Sequence, residues 1–301
     1  MENFKNSILN KFKRHVAPKD KRRGISEKAT FAIAFIIFTI YAFIMIYMIL
    51  WVTMSSFKTN REFYRDPFAL PAVWQFKNYL SAFEELRFNG VNFIGMTFNS
   101  IWYSVGLTVI HILACSATGY VFAKYEFGAK KTMMSIAILA MVIPIIGSLP
   151  AQYKLMHDLN LVDSPLVLVT GLAGFGMHFI IMKSYFQSLS WSYAEAAFMD
   201  GATHLGVFFK IMLPMAKGPA LALGIRAFIG YWNDYYSPLL YLDEMPTLST
   251  GLYLYRLELN YASNEPVYFA GVVMSMIPVF ILFSIFSEQI MNNVVAGGLK
   301  G

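Results

Sequence analysis

FAIAFIIFTIYAFIMIYMILWVTM, Phe31 to Met54, carries only Thr39 and Thr53 as clearly polar residues. As a helix it would reach about 36 Å, enough to cross the ~30 Å hydrocarbon core of a bilayer with some tilt. It is too long for the apolar core of a signal peptide, and no small-residue cleavage site follows it, so it reads as a retained span. Upstream, residues 1–28 hold nine Lys and Arg (Lys5, Lys11, Lys13, Arg14, Lys19, Lys21, Arg22, Arg23, Lys28) against Glu2, Asp20 and Glu27. The whole formal charge of +6 therefore stands in front of the first span. A basic block in that place orients a membrane helix, and it argues against nucleic acid as the partner. Phe4, Ile8, Leu9, Phe12 and Val16 are spaced for a short helix lying on anionic lipid; a disordered basic tail is the alternative.

Composition agrees: 57% of the residues are hydrophobic and only 14% are charged. Soluble domains carry about a quarter charged residues, so the solvent of this chain is mostly lipid. One cysteine, Cys115, rules out an internal disulfide framework or a cysteine metal site. Further apolar runs cover Ile101–Ala123, Met133–Leu149 (short and broken at Pro144), Leu166–Met182, Ala220–Tyr236 and Val267–Phe286 with Pro278 inside. Prolines are tolerated within spans because neighbouring helices can re-satisfy the freed backbone groups. The expected fold is an all-α integral membrane bundle of six transmembrane helices.

Lys124, Lys130, Lys131, Lys183, Lys210 and Lys217 fall on the side of the basic N-terminus. Asp243, Glu244, Glu258 and Glu265, against Arg256 alone, fall opposite. This positive-inside pattern places both termini in the cytoplasm. The expected organisation is a basic tail at 1–28, a six-helix membrane domain at 29–290 with a loop at 190–214, and a cytoplasmic tail at 291–301.

Between the fourth and fifth spans, residues 190–214 contain EAAFMDGATHLGVFFKIMLP from Glu195 to Pro214. Ser192 is placed to cap a helix with Glu195 in its first turn. Ala196, Ala197 and Met199 offer a small apolar surface, and Asp200-Gly201 permits a sharp turn before Val207, Phe208, Ile211 and Leu213 resume an apolar face. Such a helix could seat in a groove of a partner protein or serve as a structural helix at the interface. Glu195-Ala196-Ala197, Asp200-Gly201-Ala202, Ile211, Leu213-Pro214 and Pro219 resemble the EAA loop of binding-protein-dependent ATP-binding-cassette (ABC) importers. The resemblance runs through nearly the whole chain, to carbohydrate-uptake permeases similar to the maltose transporter's MalG subunit. It includes Ser55-Ser56-Phe57-Lys58, Asn78-Tyr79-Leu80, Gly119 to Lys124, Leu149-Pro150-Ala151-Gln152-Tyr153, Trp232-Asn233-Asp234 with Pro238-Leu239-Leu240, and the C-terminal Ala296-Gly297-Gly298-Leu299-Lys300-Gly301.

The resemblance implies the type I importer permease fold with a cytoplasmic coupling helix, in a bacterial or archaeal cell membrane. It implies that Glu195, Ala196, Ala197, Asp200, Gly201, Ala202, Leu213 and Pro214 contact a MalK-like ATPase dimer, and that Gly297, Gly298 and Lys300 reach into that dimer. A second, MalF-like permease chain and an extracellular sugar-binding protein complete the implied assembly, with a sugar or oligosaccharide as cargo. This chain has no G-x-x-x-x-G-K-[ST] loop, so ATP and Mg²⁺ belong to the ATPase partner; no cofactor, catalytic residue or metal site is expected here.

Arg226 lies mid-span and, with Gly230 and Asn233, forms an i, i+4, i+7 stripe that could line a translocation path; ionisable groups inside spans are costly and usually functional. The family more often has an apolar or small residue here. Arg226 could favour acidic sugars, or it could pair with a carboxylate or carbonyl of the partner permease. Asn233 and Asp234 are path candidates that also suit a helix end. His111 and His178 read as hydrogen-bonded packing residues. Tyr231, Trp232, Tyr235, Tyr236 and Tyr241 suit an interfacial aromatic belt or sugar stacking. An importer for another small solute remains open, as does an ion-coupled secondary transporter, although the latter leaves the loop unexplained. An integral-membrane enzyme would need a convergent constellation, and the five histidines are scattered.

Overall fold

The computed structural model describes residues 25–143, 147–258 and 264–298. The basic segment up to residue 24, Pro144, and Lys300 lie outside the described residues. The chain divides into two units, Met1–Trp51 and Val52–Gly301. Helix α1, Ile25–Ser56, supplies the first unit and the start of the second. Taken by itself, the first unit exposes Phe35, Phe38, Phe43 and Ile46 on several sides of the helix, which suits lipid and not water.

In the second unit the segment after α1 is fastened by polar side chains. Lys58 is fully buried, and its Nζ donates to the carbonyls of Asp66 (3.0 Å) and Pro67 (2.7 Å). Asn78 Nδ2 donates to the carbonyls of Ser56 and Lys58, each at 2.8 Å, and the Ser56 and Tyr79 hydroxyls lie 2.7 Å apart. Two sequence motifs twenty residues apart thus form one lock. Helix α2, Asn60–Arg65, begins with a capping box: Glu62 Oε2 accepts from the Thr59 backbone N–H while Thr59 Oγ1 accepts from the Glu62 N–H. That hydrogen bond from the Thr59 N–H, foremost, holds the Glu62 carboxyl below its ordinary pKa. Burial pushes the Lys58 ammonium below its ordinary value.

After α3, Lys77–Glu85, a small antiparallel hairpin interrupts the helices, with β1 Arg87–Phe88 facing β2 Val91–Asn92. Among the described residues this two-residue ladder is the one exception to an otherwise helical fold. Asn89 (φ 47°) and Gly90 (φ 79°) are both left-handed, the two-residue Asn-Gly turn that matches strand twist.

Helix α4, Phe93–Lys124, is the central post, packed against the 3-10 turn Pro165–Leu172, helix α7 (Met177–Ser188) and helix α11 (Lys217–Trp232). Gly119 lets it come close: a Cβ there would sit 3.0 Å from the Lys183 backbone nitrogen and 3.1 Å from Met182 Cβ. The expected fourth span is broken. A 3-10 helix, Pro165–Leu172, and helix α7, Met177–Ser188, meet at 54°. Thr118 Oγ1, on α4, donates to the Gly174 carbonyl at 2.8 Å, satisfying backbone that the break frees. The expected third span is also interrupted: α5 covers Lys130–Val142 and ends there, and α6 starts afresh at Leu149 and runs to Asp158.

Helices α8 (Ser192–Met199) and α9 (His204–Val207) follow; α9 continues through a π turn (Phe208–Met212) and α10 (Leu213–Met215), then bends by 78° into α11, Lys217–Trp232. Short α12 (Tyr236–Tyr241) and α13 (Leu248–Glu258) lead to α14, Glu265–Gly298. Trp232 Nε1 donates to the Ser275 carbonyl (3.1 Å) in the turn of α14 that Pro278 disturbs. By length and composition, three described helices are fit to cross a membrane, or up to five if each bent pair counts once.

Polar contacts collect at two ends of the second unit. At one, Asn89 donates to the Asp243 carbonyl, Ser100 Oγ accepts from the Leu248 N–H, Asp163 Oδ1 accepts from the Glu244 N–H, and Arg256 pairs with Glu265. At the other, Lys124 Nζ donates to the Leu189 carbonyl at 2.6 Å and the Tyr125 hydroxyl lies 2.9 Å from His204 Nδ1.

Candidate functional site

Helix α8 carries the loop. Its start is fastened by Ser190, whose Oγ accepts from the Ser192 N–H at 3.3 Å and lies 2.7 Å from the Ser192 hydroxyl. Trp191, not Ser192, occupies the cap position, because the preceding bend has already turned Trp191 into helical backbone. At the other end the Gly201 N–H bonds to the Phe198 carbonyl (3.0 Å) and the Ala202 N–H to the Ala197 carbonyl (2.9 Å). This is a Schellman ending, with Gly201 left-handed at φ 81°.

The helix is two-faced. Ala194 and Ala197 are buried in a cluster with Tyr120 of α4, Met182 and Phe186 of α7, Val207, Phe208 and Met212 of the following turns, and Leu223 of α11. Glu195, Ala196, Met199 and Asp200 are exposed, Met199 at 88%. Leu213 is half-buried and Pro214 exposed. The small inner face thus packs against three long elements at once, α4, α7 and α11. Gly297 and Gly298 end α14 and are described as backbone alone.

A second polar cluster lies within the spans. Arg226 Nη1 stands 3.3 Å from His178 Nε2, and His178 Nδ1 stands 2.9 Å from His111 Nε2. Residues on α11, α7 and α4 meet there. Gly230 and Asn233 share the exposed face of α11 with Arg226. Asn233 closes the helix, its Nδ2 donating to the Ile229 carbonyl at 2.9 Å. Asp234 Oδ1 accepts from the N–H groups of Tyr236 and Ser237, each at 3.0 Å, which starts α12.

Beyond this cluster is a cavity of about 300 Å³, whose walls include Tyr103, Gln152, Thr170, Tyr231, Asp234 and Tyr241. Trp232 leaves the expected aromatic group altogether and is buried with Met96 and Leu252. The cavity was not legible in sequence, since Tyr103, Gln152 and Tyr231 come from three elements. The partnership of His111 with His178, 67 positions apart, carried no local signal either.

Residues 117–294 match the profile of the binding-protein-dependent transport system inner membrane component family. The chain belongs to that family. The permease is 30% identical to the arabinooligosaccharides transport system permease protein AraQ of Halalkalibacterium halodurans, over 88% of this chain and 94% of that one. It is 28% identical to the diacetylchitobiose uptake system permease protein NgcG of Streptomyces coelicolor, over 91% of each. It also matches a chain in the crystal structure of a bacterial ABC transporter involved in the import of the acidic polysaccharide alginate, with a TM-score of 0.75 and 25% identity, over 88% of this chain and 98% of that one. The protein is thus an inner-membrane component of an importer, a transport subunit and not an enzyme.

Proposed function

We propose that this permease carries a sugar or oligosaccharide, handed over by an extracellular binding protein, through a pathway it forms with a second, MalF-like permease chain. A MalK-like ATPase dimer, loaded with ATP and Mg²⁺, grips α8 from the cytoplasm, where both termini also lie. Six spans are read as α1, α4, α5 with the segment after it, the bent pair Pro165–Ser188, α11 and α14, with the C-terminal tail at the ATPase. The membrane domain then covers 29–290, between the two tails. The α5 helix has 13 residues, or about 20 Å, and is the short member of the set.

One observation carries the coupling reading: the division of α8 into a buried Ala194–Ala197 face and an exposed face with Glu195, Ala196, Met199 and Asp200. An ATPase that binds this outer face differently in its open and closed states biases the bundle between inward-open and outward-open arrangements. Ala197 then acts from inside, holding the helix, while Glu195 and Met199 make the contact. The cargo class follows the names of the relatives, arabinooligosaccharide, diacetylchitobiose and alginate carriers.

A cysteine at Met199 tests this, since native Cys115 is buried. Bifunctional cross-linking in native membranes should join Met199→Cys to a nucleotide-binding polypeptide. Adducts with every polypeptide except an ATPase would reject the docking surface. Sugar uptake by this chain without ATP would reject the importer class.

A further inference from the structure

Arg226 is the tenth residue of α11, about 14 Å from its start and well inside any span that helix makes. A guanidinium is always charged and only donates, so His178 Nε2 must accept from it. His178 then carries its proton on Nδ1 and donates it to His111 Nε2. Both imidazoles are neutral in this arrangement, and the trio holds one net positive charge. Among the described residues no carboxylate comes within ion-pair distance of Arg226. Nη1 bonds to His178, which leaves Nε and Nη2 with donors to spare.

The surroundings tell what faces those donors. Leu223, Ile225 and Ala227 are buried on the other sides of α11, while Arg226, Gly230 and Asn233 share its open face. A Cβ built on Gly230 would meet nothing within 4 Å, so among the described residues nothing packs on that face at Gly230. Hydrocarbon is an expensive neighbour for a guanidinium at mid-span, which leaves an aqueous path or another chain. The cavity supplies the second observation. Leu107, which lines it, is one turn from His111 on α4, and Tyr231, also in its wall, has its ring 6.3 Å from that of His111. Aromatic faces with Gln152, Thr170 and Ser237 between them suit a sugar ring, and about 300 Å³ is room for one. Asp234 would oppose an anion there, yet its Oδ1 is taken up by two backbone N–H groups. It also lies eight residues on from Arg226, just past the end of α11, about 12 Å away at the helical rise.

We propose that Arg226, oriented by the His178–His111 pair, is an anion-recognition site in the translocation path, and that the cargo is a sugar bearing a carboxylate. The planar fork of Arg226 can take a carboxylate through two N–H donors, a geometry that a lysine in the same place lacks. His178 and His111 are positioning residues: they fix the plane of the fork and do not themselves meet the sugar. The proposal rests on the reading of this chain as a sugar permease, and its test separates the two.

The complete importer, with companion permease, ATPase and binding protein, is reconstituted in proteoliposomes. ATP-driven uptake of a uronic-acid oligosaccharide is compared with that of a neutral one of equal length, for wild type, Arg226→Met and Arg226→Lys. Wild type should take up the acidic sugar. Arg226→Met should lower acidic uptake relative to neutral by about 10- to 100-fold, the range for losing a charge-assisted hydrogen bond. Arg226→Lys should fall in between, because it keeps the charge without the fork. Wild-type uptake of the neutral sugar alone overturns the site and leaves the permease reading standing. An equal loss of both sugars, or loss of co-purification with the companion permease, makes Arg226 an interface residue and also overturns it. If wild type shows no ATP-driven sugar uptake at all, both readings fall.

Discussion

Replacing Gly201 by alanine isolates a backbone effect in the loop that would meet the ATPase. A Cβ at this position meets nothing within 4 Å, so no steric clash contributes. What remains is the left-handed backbone, φ 81°, which costs a residue with a Cβ about 1–2 kcal/mol. Alanine also restricts the unfolded chain, which returns about 0.4–1 kcal/mol. The net loss should be about 1 kcal/mol, or roughly a fivefold rise in local opening. It should appear at the Gly201 and Ala202 amides, which close the helix onto the Phe198 and Ala197 carbonyls. Hydrogen exchange on the purified importer reads those amides directly. Gly201→Asn should lose less, since asparagine tolerates left-handed backbone. Gly128→Ala is the control, for Gly128 has open space and no left-handed backbone. Equal exchange in Gly201→Ala and Gly128→Ala would refute the claim that the helix ending depends on Gly201.

The other predictions concern the segments that brace the bundle. Lys58→Ala strips the Asp66 and Pro67 carbonyls of their donor and should lower stability by about 2–4 kcal/mol, read as a fall in melting temperature in detergent. Gly119→Val drives a branched side chain against the Met182–Lys183 backbone and should separate α4 from α7; cross-linking between cysteines placed on the two helices should weaken. Glu62 has a folded-state pKa below its unfolded value, so its stabilisation of α2 is complete above the ordinary carboxylate range, about pH 4.3, and is lost as pH falls through the depressed value. Amide protection of Glu62 and Phe63 should follow that course, and Glu62→Gln should flatten it.

Much of the architecture was legible because hydropathy is a local quantity. A run such as Phe31–Met54 declares itself by the transfer free energy of its own side chains, and α1, α4 and α14 follow such runs closely. Asp200-Gly201 was legible too, since a Schellman ending needs a residue at ease with positive φ. The Asn89-Gly90 hairpin leaves little trace in the sequence pattern, because strands of two residues have no periodicity. Ala197 was misleading in a different way. Glu-Ala-Ala reads as one exposed patch, whereas the helical period turns Glu195 and Ala196 outward and Ala197 inward.

By itself, the sequence determined that the chain belongs in lipid, where its long apolar runs fall, and where the Asp200-Gly201 turn falls. Each of those is a sum over neighbouring residues, so no distant contact is needed to establish it. Tertiary structure alone decided that the fourth span breaks where Thr118 can serve the freed Gly174 carbonyl, that Lys58 is buried, and that Arg226 meets a histidine 48 positions away. Those outcomes depend on which helices lie side by side. Once water is removed, every polar group must find a partner wherever the packing offers one.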